Sequence, residues 1–96
     1  MNKQLISLSS LAMDLKRVSL GLQRGSTSMA YRFAKEALAR KNEINFSDVE
    51  PYMRKLLLDM EHNITNMEDT RVAEDALMYS TLFQNYVKKN ISANDK

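Results

Sequence analysis

Residues 47–67 read SDVEPYMRKLLLDMEHNITNM. Within them Val49, Met53, Leu56, Leu57, Met60, Ile64 and Met67 recur at steps of three and four. Such spacing brings all seven to one side of an α-helix, and an apolar side must be covered by another apolar surface. Ser47 followed three residues later by Glu50 has the form of a capping box, which predicts a helix starting near Asp48. Asp48 and Glu50 suit the positive end of the helix dipole, and Pro51 falls in the first turn, where its missing N–H costs no helical bond. The stripe predicts a helix to about Asn63. Asn63, Thr65 and Asn66 predict a break after it, with Thr65 and Glu68 as a second capping box; one continuous helix is the alternative.

The flanking sequence carries the same period. Leu8, Leu11, Leu15, Val18 and Leu22 form a heptad that predicts a first helix over Lys3–Gln23, closed by Gly25. Gly21 lies in its last turn and weakens it by about 1 kcal/mol relative to alanine. A second helix is expected over Thr27–Lys41, with Ser26 as its N-cap and Asn42 as its stop. Its apolar face (Met29, Ala30, Phe33, Ala34, Ala37, Leu38) is mostly small, so a neighbouring helix can approach closely. A fourth segment starts near Met67 or Asp69 and ends near Asn90. Val72, Ala76, Tyr79, Phe83 and Tyr86 form one stripe there, and Leu77, Met78, Leu82 and Val87 widen it enough to meet more than one neighbour.

No strand-like alternation or internal repeat interrupts this pattern. The expected fold is all-α: an antiparallel four-helix bundle in one domain over residues 1–90, with a polar tail at 91–96. Were segments three and four continuous, the chain would be an elongated helical hairpin completed by dimerisation.

Composition narrows the function classes. The chain has 96 residues, two glycines, one proline, seven methionines and no cysteine. Disulfides, thiolate metal sites and a cysteine nucleophile are excluded, which fits a cytoplasmic protein. No run of eighteen apolar residues is long enough to span a membrane. Serines and Asp14 interrupt the first segment, which does not suit a signal peptide; its serine-bearing, basic and amphipathic character also describes a transit peptide, and an ordinary first helix is the preferred reading. The first helix is amphipathic and basic, but its apolar face has no aromatic residue to seat in a membrane surface. Charge is unevenly placed: residues 1–41 carry eight bases against two acids, and residues 42–77 carry three bases against nine acids. These regions can attract each other within one bundle or between two copies.

Candidate chemistry is sparse. His62 with Asp59 three residues earlier resembles half of a carboxylate–histidine metal motif, but the chain holds no second histidine. No phosphate loop or nucleophile elbow is present. No catalytic residue, metal ligand or cofactor is therefore expected. The first expectation is a small non-enzymatic helical interaction or regulatory module, homodimeric, with Met78, Leu82, Phe83, Tyr86 and Val87 as exposed interface anchors. The alternative is a nucleic-acid-binding regulator that contacts phosphates through Lys16, Arg17, Arg24, Arg32, Lys35 and Arg40, with Tyr31 available for stacking. A third reading is a metal- or nucleotide-dependent enzyme formed only in an oligomer.

Overall fold

The computed structural model describes residues 3–67 and 70–94, with side chains through residue 91. Among them are four α-helices: α1 (Lys3–Gln23), α2 (Thr27–Glu43), α3 (Pro51–Thr65) and α4 (Val72–Asn94), with a short 3₁₀ turn at Phe46–Asp48. No strand occurs among the described residues. Among the same residues no helix is long and apolar enough to cross a membrane.

Helix α1 buries Leu5, Leu8, Leu11, Ala12, Leu15 and Val18, the side its heptad predicts. Gly25 ends it with φ of 75°. The Gly25 N–H donates to the Leu22 carbonyl at 3.2 Å and the Ser26 N–H to the Gly21 carbonyl at 2.8 Å. This Schellman closure needs the left-handed residue that glycine supplies most easily. Ser26 precedes α2 as expected, but its side chain makes no capping hydrogen bond.

The small face of α2 lies against α1, with Ala30, Ala34 and Ala37 buried. Gly21 makes the approach close: a Cβ added there would stand 2.9 Å from the Ala30 nitrogen. Contacts descend α1 as they ascend α2, from Gly21 at Ala30, through Arg17 at Phe33, to Asp14 at Arg40. Helix α2 passes the expected stop at Asn42 and ends at Glu43. Ile44 then turns extended and is buried.

The capping box at Ser47 and Glu50 does not form. The Asn45 side chain accepts the Ser47 N–H at 3.1 Å and the Ser47 hydroxyl at 2.7 Å, so Ser47 serves the 3₁₀ turn. Glu50 precedes Pro51, whose ring disfavours helical geometry in the residue before it. Glu50 is accordingly extended (φ −67°, ψ 153°), and α3 starts at Pro51 rather than Asp48. From there Met53, Leu57, Met60 and Ile64 are buried as the stripe predicts.

Helices α3 and α4 are separate, so the continuous hairpin is not formed. The Thr65 hydroxyl donates back to the Glu61 carbonyl at the end of α3 instead of starting a new helix. Its expected capping partner Glu68, and Asp69 as an expected helix start, lie outside the described residues. Helix α4 runs to Asn94, beyond the expected end at Asn90, and Ile91 packs against the core rather than belonging to a polar tail.

Helix α4 is centred on Phe83, with Val72, Ala76, Tyr79, Ser80 and Val87 also buried. The Ser80 hydroxyl donates to the Ala12 carbonyl at 2.7 Å, a buried bond between α4 and α1. On the other flank of α4, the Asn63 amide of α3 donates to the Tyr79 hydroxyl at 2.7 Å. Helix α1 is thus packed closely against both α2 and α4, whereas α3 is packed more loosely, against α4 and, less, against α2. Lys41 of α2 does reach Glu61 of α3 at 3.1 Å, an ion pair between the basic and acidic parts of the chain. The molecule measures 43 by 21 by 18 Å.

Candidate interaction surface

Burial of the Phe83 side of α4 fixes which residues that helix leaves outside. Met78 and Leu82 are 47% and 39% exposed, in agreement with their expected place on an outer surface. Tyr86 is half-buried, its ring edge-on to Tyr52 of α3 at 6.2 Å. Phe83 and Val87 are not exposed anchors. Phe83 is fully buried and stacks on Tyr79, and Val87 is 6% exposed in the same core. The physical reason is the register set by Ser80 against α1, which turns Phe83 inward.

Beside Leu82 runs a shallow apolar groove of about 210 Å³ between α3 and α4. Tyr52, Met53 and Leu56 line it from α3, and Leu82, Asn85, Tyr86 and Lys89 from α4. Tyr52 is 53% exposed at its edge. On α4 the residues Asp75, Met78, Leu82, Asn85 and Lys89 follow steps of three, four, three and four. Steps of that kind form a single seam along a helix. This seam is legible in the sequence, but the wider apolar arc around it conceals it. Burial raises the pKa of Tyr86, and Glu50 adds to the rise. Burial also raises Tyr79, its Asn63 hydrogen bond lowers it, and Asp59 and Asp75 raise it further. Both carboxylates therefore lie near the α3–α4 seam.

The six basic candidates do not form one face. Arg17 and Arg32 converge, their guanidinium groups 5.3 and 5.4 Å from the centre of the Phe33 ring. Arg40 instead reaches Asp14 at 3.9 Å and Glu43 at 3.6 Å. Lys16, one turn after Ala12, sits on the α4 flank of α1. Arg24 and Lys35 are exposed on the α1–α2 half, and Tyr31 is exposed as well.

Asp14 is a buried group that the sequence marks only as an interruption of the apolar first segment. It faces α2 from the line Ser7, Asp14 and Gly21, which repeats every seven residues. Its Oδ2 is buried without a hydrogen-bond partner, and Arg17 stands 3.7 Å from Oδ1. Burial raises its pKa most strongly; Arg40 lowers it, Glu36 raises it and Arg17 lowers it.

A second cavity of about 600 Å³ opens at the start of α1, between Lys3, Leu5, Asp48, Glu50, Tyr86 and Asn90. Gln4 closes one side, donating to Asp48 at 3.3 Å and accepting the Asn45 N–H at 3.2 Å. His62 is exposed beside a further open depression. Among the described residues no group of three or more His, Asp and Glu side chains converges as a metal site would require. Comparison with protein-family models, with curated proteins and with solved structures finds no match.

Proposed function

We propose that this chain is a small non-enzymatic helical interaction or regulatory module, built as an antiparallel four-helix bundle and acting in the cytoplasm as a homodimer. One observation carries the reading. Leu82 and Tyr52 stay exposed while lining a mainly apolar groove, with exposed Met78 one turn before Leu82, although Met53, Leu57, Met60, Ile64, Phe83 and Val87 are already buried. Exposed apolar clusters on small proteins mark contact surfaces, and methionine adapts well to a partner. The test is sedimentation velocity across the micromolar range. The wild-type chain should sediment above its 11.1 kDa monomer mass, and Leu82→Asp should return it to monomer. A self-associated species unaffected by Leu82→Asp refutes the assignment of this surface.

The paired guanidinium groups at Phe33 favour a second reading, nucleic-acid binding through the α1–α2 half. Arginine beside an aromatic ring can contact phosphate and stack on a base. Arg32→Glu with Lys35→Glu should abolish binding to single-stranded nucleic acid and its salt dependence. Absence of wild-type binding at low salt ends this reading. For a metal- or nucleotide-dependent enzyme formed in an oligomer, no comparable convergence of groups occurs among the described residues.

A further inference from the structure

We infer that α4 packs against α4 of a second copy of this chain, about a two-fold axis at Leu82, with Asp75 of each copy facing Lys89 of the other. The inference rests on the interaction-surface reading above and gives that surface its partner and register. The seam Asp75–Met78–Leu82–Asn85–Lys89 spans about 21 Å of helix at the usual rise per residue. Leu82 is its midpoint, and Asp75 and Lys89 each stand seven residues, two turns, from it.

A two-fold axis through Leu82 runs the two helices in opposite directions. Leu82 then meets Leu82 of the second copy, and Met78 meets the region of Asn85 and Tyr86. The acidic end of each seam lies on the basic end of the other. Turning the second helix parallel instead sets Asp75 on Asp75 and Lys89 on Lys89, and like charges at a contact oppose association. Both arrangements close by two-fold symmetry, and the charge order selects the antiparallel one. Lys89 makes no ion pair among the described residues, so its charge is available. Tyr52 and Leu56 flank the seam from α3 and extend the apolar centre.

Charge reversal tests the register. Sedimentation equilibrium of the whole chain at low salt is measured for wild type, Asp75→Lys, Lys89→Asp and the double reversal. Each single reversal should raise the dimer Kd about tenfold, since symmetry disrupts two pairs at once. The double reversal should return it to within about threefold of wild type. Circular dichroism confirms that helix content is unchanged in each variant. A dimer abolished by Leu82→Asp but not rescued by the double reversal overturns the register and leaves the surface reading standing. A dimer indifferent to Leu82→Asp overturns both. A chain that is monomeric throughout overturns the second copy as occupant, and a different polypeptide becomes the partner to seek.

Discussion

Gly21→Ala sets two opposed effects against each other. Within a helix, alanine is favoured over glycine by about 1 kcal/mol, so local propensity alone makes the change stabilising. The structure reverses that expectation. The new methyl carbon would lie 2.9 Å from the Ala30 nitrogen and 3.2 Å from both the Ala30 Cα and the Ser26 carbonyl oxygen. All three are main-chain atoms and cannot rotate aside. The Ser26 N–H is itself held by the Gly21 carbonyl at 2.8 Å, so the turn and the start of α2 must shift together. Overfilling of this kind costs about 1–3 kcal/mol. Subtracting the propensity gain leaves a net loss of about 1–2 kcal/mol, since the obstacle is backbone and the cost falls in the upper part of that range. Urea denaturation followed by circular dichroism at 222 nm measures it, and the melting temperature should fall by about 4–8 °C per kcal/mol. Gly25→Ala is the companion measurement. Nothing lies within 4 Å of its added Cβ, but φ is 75°, so its loss of about 1 kcal/mol comes from backbone conformation alone. Gly25→Asn should recover part of that loss, and Gly21→Asn none. A Gly21→Ala variant as stable as wild type refutes the close-approach reasoning.

Asp14→Asn should stabilise the chain by about 1 kcal/mol at neutral pH, because the variant need not bury a charge whose Oδ2 lacks a hydrogen bond. Burial raises the Asp14 pKa above its ordinary 3.8, so between that value and the raised one the folded state holds the proton more tightly. Wild-type stability should therefore gain on the variant as pH falls through that window; a gap that widens on acidification contradicts this sign. Leu57→Ala should cost about 2–5 kcal/mol by opening a cavity, whereas Leu58→Ala, one residue on but 49% exposed, should change urea stability little. The raised pKa values of Tyr52, Tyr79 and Tyr86 place a loss of stability above about pH 10, where the unfolded chain ionises first. Spectroscopic titration of the phenols alongside thermal melts checks it; unchanged melting where they ionise refutes it.

Heptad spacing located much of this fold in advance. Helix α1 occupies the residues its leucines predict, and α3 buries Met53, Leu57, Met60 and Ile64 as one side. The start of α3 differs from its capping pattern because that pattern and a proline give different instructions. Proline prevailed, since its effect on Glu50 is steric whereas a cap contributes only about 1 kcal/mol. On α4 an apolar arc wider than one seam allows several registers. Packing against α1 decides among them: it buries Ser80 and Phe83 and leaves Met78 and Leu82 outside. The burial of Asp14 is hidden for a related reason, as a lone acid beside a leucine row looks solvated until a helix of alanines closes over it. Gly21 reads as a local weakness and proves to be a point of close approach between α1 and α2.

The buried bond from Ser80 to Ala12 joins residues 68 positions apart. Ordering so long an intervening segment costs entropy before the contact returns any stability, and distant pairings slow folding. During synthesis on a ribosome, α1 emerges well before the helix that shields its leucines. Until α4 is released, that leucine row stays open to chaperones and to premature association.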